Sequence, residues 1–169
     1  MLASQEQNEL IKLMGKVTFP LPPEVFSAWC LAFPTIAAEL AVMRNNDGVR
    51  EIFLTYREDE FFKGWHIPGS IHLPNEKFED TLDRVITSEM GMSSSTPYEF
   101  YRWFQYQPGN GIGESPRGDV ITLMFVCEKP GNVEESDIAK FFPLTEMPED
   151  LLLIHIPIIQ ALKERYDFR

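Results

Sequence analysis

Between Pro68 and Met92 the chain carries Glu76, Arg84 and Glu89, residue types that suit the handling of a divalent cation or of phosphate. Mg²⁺ (or Mn²⁺) takes oxygen ligands in tight geometry and completes its shell with water and ligand phosphates. Residues three and four apart share one helix face, and of Val85, Ser88 and Glu89, which do so, Glu89 carries a carboxylate. Glu76 and Arg84 carry opposite charges and could form an ion pair. Arg57, in "LTYRED", offers a planar fork that matches phosphate oxygens, or is a surface arginine at a strand end. The polar stretch 133–137 holds Glu134, Glu135 and Asp137 and could lend a distant carboxylate, or is a plain turn. His66 and His72 flank Pro68-Gly69, and either a site role or an ordinary hydrogen-bonded histidine fits them.

The elements that must position these residues follow from period and punctuation. Ser4 and Gln7 resemble a capping box, and Leu10, Ile11, Leu13 and Met14 give residues 4–14 an apolar side, so a short helix is expected. "FPLPPE" breaks the chain, so residues 1–23 are expected as an N-terminal arm and 24–169 as a single domain. Residues 35–45 and 50–58 read as strands joined by the "NNDG" turn. The stretch 62–73 is extended and broken by Pro68-Gly69. Phe78, Leu82, Val85, Ile86 and Met90 predict a helix over 77–90, with Gly91 as its C-cap. Residues 92–97 read as a loop. The alternating aromatic stretch 98–107 predicts a strand, and "PGNGIGESPRGD" a long loop able to cover a site. Glycines there follow a strand and do not open a helix, which is the wrong context for a phosphate-cradling loop. Strands over 120–129 and 138–148 and a helix beyond Pro148, with Pro157 as a kink or fresh start, complete the chain. The sum is a mixed sheet with one central and one terminal helix: an α/β sandwich.

With 169 residues, the chain is long enough for one domain with a real core. Its net charge of −11 and pI near 4.7 argue against polymeric nucleic acid and anionic membrane as partners, since both favour a basic surface. A small phosphorylated ligand needs only a few local cations. Cys30 and Cys127 have no metal or redox spacing and read as reduced thiols of a cytoplasmic protein. No signal-peptide pattern opens the chain, and the longest apolar run, 151–159, is too short to span a bilayer.

Residues 70–92 resemble the box of the Nudix hydrolase family, G-x5-E-x7-R-E-U-x-E-E-x-G-U with U aliphatic. Glu76, Arg84, Ile86, Glu89, Gly91 and Met92 match it, and "GWHIPG" resembles the usual lead-in. Ser70, Val85 and Ser88 depart from it. The run "RVITSEMG" is similar to the GDP-mannose mannosyl hydrolase branch, whose box lacks the same carboxylates. The resemblance implies a Nudix-like α/β/α sandwich. It implies an Mg²⁺-dependent (or Mn²⁺-dependent) hydrolase of a nucleoside diphosphate sugar or related compound, attacking the sugar's anomeric carbon. The metal would be held by Glu89, by a carbonyl at the Gly69-Ser70 turn, and by Glu135. Arg57 would neutralise phosphate. The branch has a Gln-His pair in the loop before its last strand, where this chain has Glu135 and Ser136, and serine is no general base near neutral pH. Tyr101 or Trp103 could stack a nucleobase, or "FYRWF" could pack a core or a homodimer, as the branch does. The alternative is a catalytically silent Nudix-like domain that binds a nucleotide-type ligand or a partner.

Overall fold

The computed structural model describes residues 4–93, 96–128, 130 and 132–167. The first three residues of the expected arm, Ser94 and Ser95 of the expected loop, Lys129 of the expected strand, Gly131, Phe168 and Arg169 lie outside the described residues.

Helix α1 (Ser4–Met14) forms where its apolar period predicts, yet buries none of its residues. The following helix α2 (Pro23–Ala32) has no counterpart in the sequence analysis. Its proline-rich lead-in hides a helix start, because proline fits the first helical position, where its missing N–H is not needed. Strand β1 (Thr35–Asn46) turns at Asp47-Gly48, both at positive φ, into β2 (Val49–Glu58). Two short strands follow, β3 (Lys63–His66) and β4 (Gly69–Ile71). Helix α3 (Phe78–Arg84) comes next, then β5 (Glu99–Pro108), β6 (Glu114–Ser115), β7 (Val120–Cys127), β8 (Ala139–Pro143) and helix α4 (Ile156–Asp167). A 3₁₀ turn over Leu153–His155 leads into α4, and Pro157 sits in that helix's first turn, where it is tolerated.

The sheet runs β3-β2-β1-β7-β5-β6, with β4 against β1 and β8 against β2. It is mixed: β1 and β7 are parallel from Thr35↔Val120 to Val42↔Cys127, while β1 is antiparallel to β2 and β4. Strand β1 is long enough to serve two groups of partners. Its first half holds β4, which sets Glu39 opposite Gly69. Its second half forms the hairpin with β2, from Met43↔Ile52 to Asn46↔Val49.

Two apolar cores make the sandwich. On one side Ile158, Ile159 and Leu162 of α4 pack with Met43, Ile52, Leu54 and Met124 of the sheet. Full burial of each such side chain stabilises the fold by about 1.5–3 kcal/mol. On the other side Val85, Ile86 and Met90 pack on Leu40, Val42, Phe53 and Cys127. The α/β/α fold class is the expected one. Among the described residues no helix is long and apolar enough to cross a membrane.

The predicted helix over 77–90 differs in one respect. Its α-helical part ends at Arg84, and Val85–Glu89 form a π turn. The wider turn changes which side chains face inward: Val85 and Ile86 are wholly buried, while Thr87, Ser88 and Glu89 are exposed. Gly91, at φ 62°, ends the segment as expected.

Candidate functional site

A cleft of about 610 Å³ opens where β2, β4, the π turn and the loop before β8 meet. Phe26, Arg57, Gly69, Glu89, Arg117 and Ile138 are among its walls. Behind it lies a narrower pocket of about 80 Å³ that shares Arg57, His66, Gly69, Ser70 and Arg117 with the cleft.

The brace beneath the cleft forms as the box spacing implies. Arg84 donates from Nε to Glu76 Oε1 at 2.7 Å and from Nη2 to Glu76 Oε2 at 2.9 Å. Its remaining donors reach Ser70 Oγ at 2.8 Å and the Ile71 carbonyl at 3.1 Å. Glu76 also accepts from Leu73 N–H and from the Thr81 hydroxyl. The Arg84 guanidinium is the main reason that the Glu76 carboxyl falls to about 2. His72 belongs to this brace, its Nδ1–H donating to Thr81 Oγ1 at 2.8 Å. His66 faces the cavities instead, so the two histidines serve different surroundings. His66 Nδ1–H donates to the Thr55 carbonyl at 2.8 Å, and burial, with help from Arg57, lowers it to about 4.

Glu89 sits at the cleft wall. Gly69 N–H donates to its Oε2 at 3.2 Å. The residue is exposed through the cleft, while the protein around its carboxyl raises its pKa; Gly69 N–H, Arg57 and Arg84 oppose that rise. A side chain at position 69 has no room. A Cβ there would come within 2.6 Å of Glu39 Cγ and 2.9 Å of the Ala38 carbonyl oxygen. Glycine therefore lets β4 lie close on β1 and turn its N–H to Glu89.

Arg57 and Arg117 form the cationic wall. Arg57 Nε and Arg117 Nη2 both donate to Asp59 Oδ2, the latter at 3.3 Å. Arg117 is enclosed by the rings of Phe26, Phe61 and Phe62, at 5.6, 5.3 and 5.0 Å from its guanidinium carbon. Its Nε has no hydrogen-bond partner. Burial, and then the like charge of Arg57, lower its pKa.

The expected site is only partly assembled. The structure brings Arg57, Gly69, Ser70 and Glu89 to one cleft. Glu135, expected as metal ligand and catalytic residue, is not among its lining residues. Its Oε1 accepts from Arg44 Nη1 at 2.7 Å and its Oε2 from Phe141 N–H at 3.1 Å, which ties it to β1 and β8. Tyr101 and Trp103, expected to stack a base, are elsewhere. The Tyr101 hydroxyl donates to the Ala161 carbonyl of α4 at 2.9 Å, and Trp103 stands 60% exposed on β5, away from both cavities. The glycine-rich loop is folded on itself, Gly111 N–H donating to Glu114 Oε2 at 2.8 Å; its continuation supplies Arg117. Arg117, Glu39, Tyr106 and His155 have no place in the expected site. For Glu39 and His155 a signal does exist: each is a lone titratable residue inside an apolar run, "AAELAV" and "LLIHIPII".

These donors do not fit a resident Mg²⁺ or Mn²⁺ ion. Among the described residues no three His, Cys, Asp or Glu side chains converge as a metal site would require. Val85 lies in the core, Ser88 supplies no charge, and Glu135 is held elsewhere. The carboxylate electrostatically coupled to Glu89 is Glu39, and burial, then the charge of Glu89, push it up to about 8. A carboxyl protonated at neutral pH is a poor ligand for a hard cation.

No curated protein sequence is similar enough to this chain to count as a match. Among solved structures, the Nudix domain of Shewanella oneidensis NrtR, complexed with ADP ribose, superposes with a TM-score of 0.61. It shares 16% identity, over 97% of this chain and 99% of that one. The Ap4A hydrolase of C. elegans superposes at 0.56 with 16% identity, over 80% and 98% of the two chains. NrtR complexed with a 27mer DNA superposes at 0.56 with 18% identity, and this chain spans only 61% of that protein. These likenesses show the fold. The NUDIX domain family itself matches residues 34–162, and the chain belongs to that family.

Proposed function

We propose that this domain recognises a nucleoside diphosphate compound in its cleft, and that recognition, not metal-driven hydrolysis, is its task. One observation carries the reading. Two guanidiniums share a single hydrogen-bonded carboxylate, Asp59, and one of them keeps an unpartnered Nε beside a cleft of nucleotide size. A diphosphate supplies pairs of anionic oxygens that a planar guanidinium fork binds bidentately. The ADP ribose bound by the NrtR domain is a ligand of this class and supports the reading.

The test is calorimetric titration of ADP-ribose, GDP-mannose and Ap4A, each with excess Mg²⁺ and again with EDTA, with product analysis of every mixture. Binding without product formation is the expected result. Absence of binding by all three compounds would refute the reading.

A second reading has its own support. Glu89 would repel a diphosphate resting on the arginines, and a cation arriving with the ligand would relieve that repulsion by completing its shell with phosphate and water. That reading is the metal-dependent hydrolase of a nucleoside diphosphate sugar. It requires turnover with Mg²⁺ or Mn²⁺ that disappears in Glu89→Gln.

A further inference from the structure

Helix α2 precedes residue 34, where the match to the family begins, yet one of its side chains, Phe26, is a wall of the cleft. Phe26 and Cys30 lie four apart and so share one face of that helix. This face meets two consecutive residues of the loop before β7. The guanidinium carbon of Arg117 lies 5.6 Å from the centre of the Phe26 ring. The Cys30 carbonyl lies against Gly118, where a Cβ would come within 2.5 Å of its oxygen. Cys30 is only 2% exposed, so this end of the helix is packed down on the loop. Other residues of α2 face elsewhere. Trp29 packs on Phe19 and Phe33, and Leu31 is 69% exposed.

Little apart from the rings holds the Arg117 side chain. Its Nη2 reaches Asp59 Oδ2 at 3.3 Å, and its Nε has no hydrogen-bond partner. Arg57 shares the same carboxylate and repels it. A guanidinium so placed is pushed away from Arg57 and drawn toward water. Two of its three rings, Phe61 and Phe62, come from the turn that carries Asp59, whose Oδ1 accepts from both of their N–H groups. The third, Phe26, comes from α2. A ring face attracts the cation and excludes water, so it fixes the guanidinium without occupying the donors that a phosphate would use.

We propose that α2 governs the anion site: Phe26 is a positioning residue that holds Arg117 at the cleft, and the Cys30–Gly118 contact seats the helix that carries it. This rests on the reading that the cleft takes a nucleoside diphosphate. It adds that a helix ahead of the matched domain controls how tightly the diphosphate is held.

The experiment titrates ADP into the full chain, Phe26→Ala, Phe26→Tyr, Arg117→Ala and the double variant Phe26→Ala/Arg117→Ala. Phe26→Ala is expected to weaken ADP binding about fivefold or more, and Phe26→Tyr, which keeps the ring, to stay within about twofold of the parent. Once Arg117 is absent, Phe26→Ala should cost no further affinity, because the ring acts through the guanidinium. Hydrogen exchange of the ligand-free proteins, read by mass spectrometry, checks the same claim. The Arg117 N–H donates to Ser115 Oγ and the Gly118 N–H to the Ser115 carbonyl, each at 3.2 Å. Their exchange should quicken about threefold or more in Phe26→Ala while that of β7 stays unchanged, and Leu31→Ala should alter neither. An equal loss of affinity from Phe26→Ala with and without Arg117 would overturn the positioning role, since it would mark a direct ligand contact or a general loss of structure. Unchanged exchange at Arg117 and Gly118 in Phe26→Ala would overturn it too. If ADP binds to none of the proteins, the reading of the cleft fails and takes the control of affinity with it, and the exchange result shows whether the seat of α2 has failed as well.

Discussion

Arg117 separates charge from hydrogen-bond geometry. It is enclosed by three phenylalanine rings and keeps a free Nε. Arg117→Ala is expected to weaken nucleoside diphosphate binding about tenfold or more, and Arg117→Lys to recover only part of that, because an ammonium lacks the planar fork. Calorimetry on the three proteins checks this; equal affinities would remove Arg117 from the site. The Glu76–Arg84 brace makes a different prediction. Glu76→Gln leaves Arg84 with a neutral partner and should cost about 2 kcal/mol of stability, read by urea denaturation near neutral pH. The Glu76 carboxyl sits at about 2 in the folded chain, below its usual 4.5. A depressed folded-state value stabilises above the unfolded value and is lost as pH falls toward the folded one. The gap between parent and Glu76→Gln should therefore be full above about pH 5 and close on acidification toward pH 2. A gap independent of pH would contradict the brace. This pair is legible in the sequence because the resemblance to the family box marks it. Arg117 is not, because nothing local to it marks its approach to Arg57.

At the scale of elements, the π turn after α3 decides what the box has become. Val85 is fully buried among Leu40, Phe53 and Phe141, while Ser88 stays exposed. Restoring the two glutamates of the family box should thus give unequal results. Val85→Glu places a carboxylate in an apolar core and is expected to destabilise the domain by about 3 kcal/mol or more. Ser88→Glu should be close to neutral, within about 0.5 kcal/mol. Thermal melts of the two variants check this, and equal losses would contradict the geometry of the turn. Period 3.6 predicts one helix over 77–90, because it marks the apolar side equally well in the seven-residue helix and in the turn that follows it. The exchange of an α turn for a wider one is a packing outcome. Strand β1 shows the same limit. Its apolar run announces a buried strand, and Glu39 within it announces an exception, but the surroundings of the exception depend on β5 and the turn before α4.

At the scale of the whole molecule, the charge of −11 is spread over a sandwich whose cleft holds two arginines. The global field repels polyanions, while the local field accepts one small anion within a Debye length of about 8–10 Å. This chain by itself is expected not to retard duplex DNA in a gel shift at physiological salt, although NrtR has been solved on a 27mer. Retention of the duplex would show that charge is a poor guide here. The sequence alone determined the main strands, the hairpin at Asp47-Gly48 and the helix carrying the box, which rest on local period and turn chemistry that the chain carries along its length; the pairing of Glu76 with Arg84 followed from the resemblance to the family box. Tertiary structure alone decided that Glu135 serves Arg44 and Phe141, that Tyr101 serves α4, and that Arg117 joins Arg57. It also decided that Glu39, Tyr106 and His155 line one pocket. Those outcomes depend on which distant segments pack together, and it is the desolvation and proximity created by that packing that set the charge and the partners of each group.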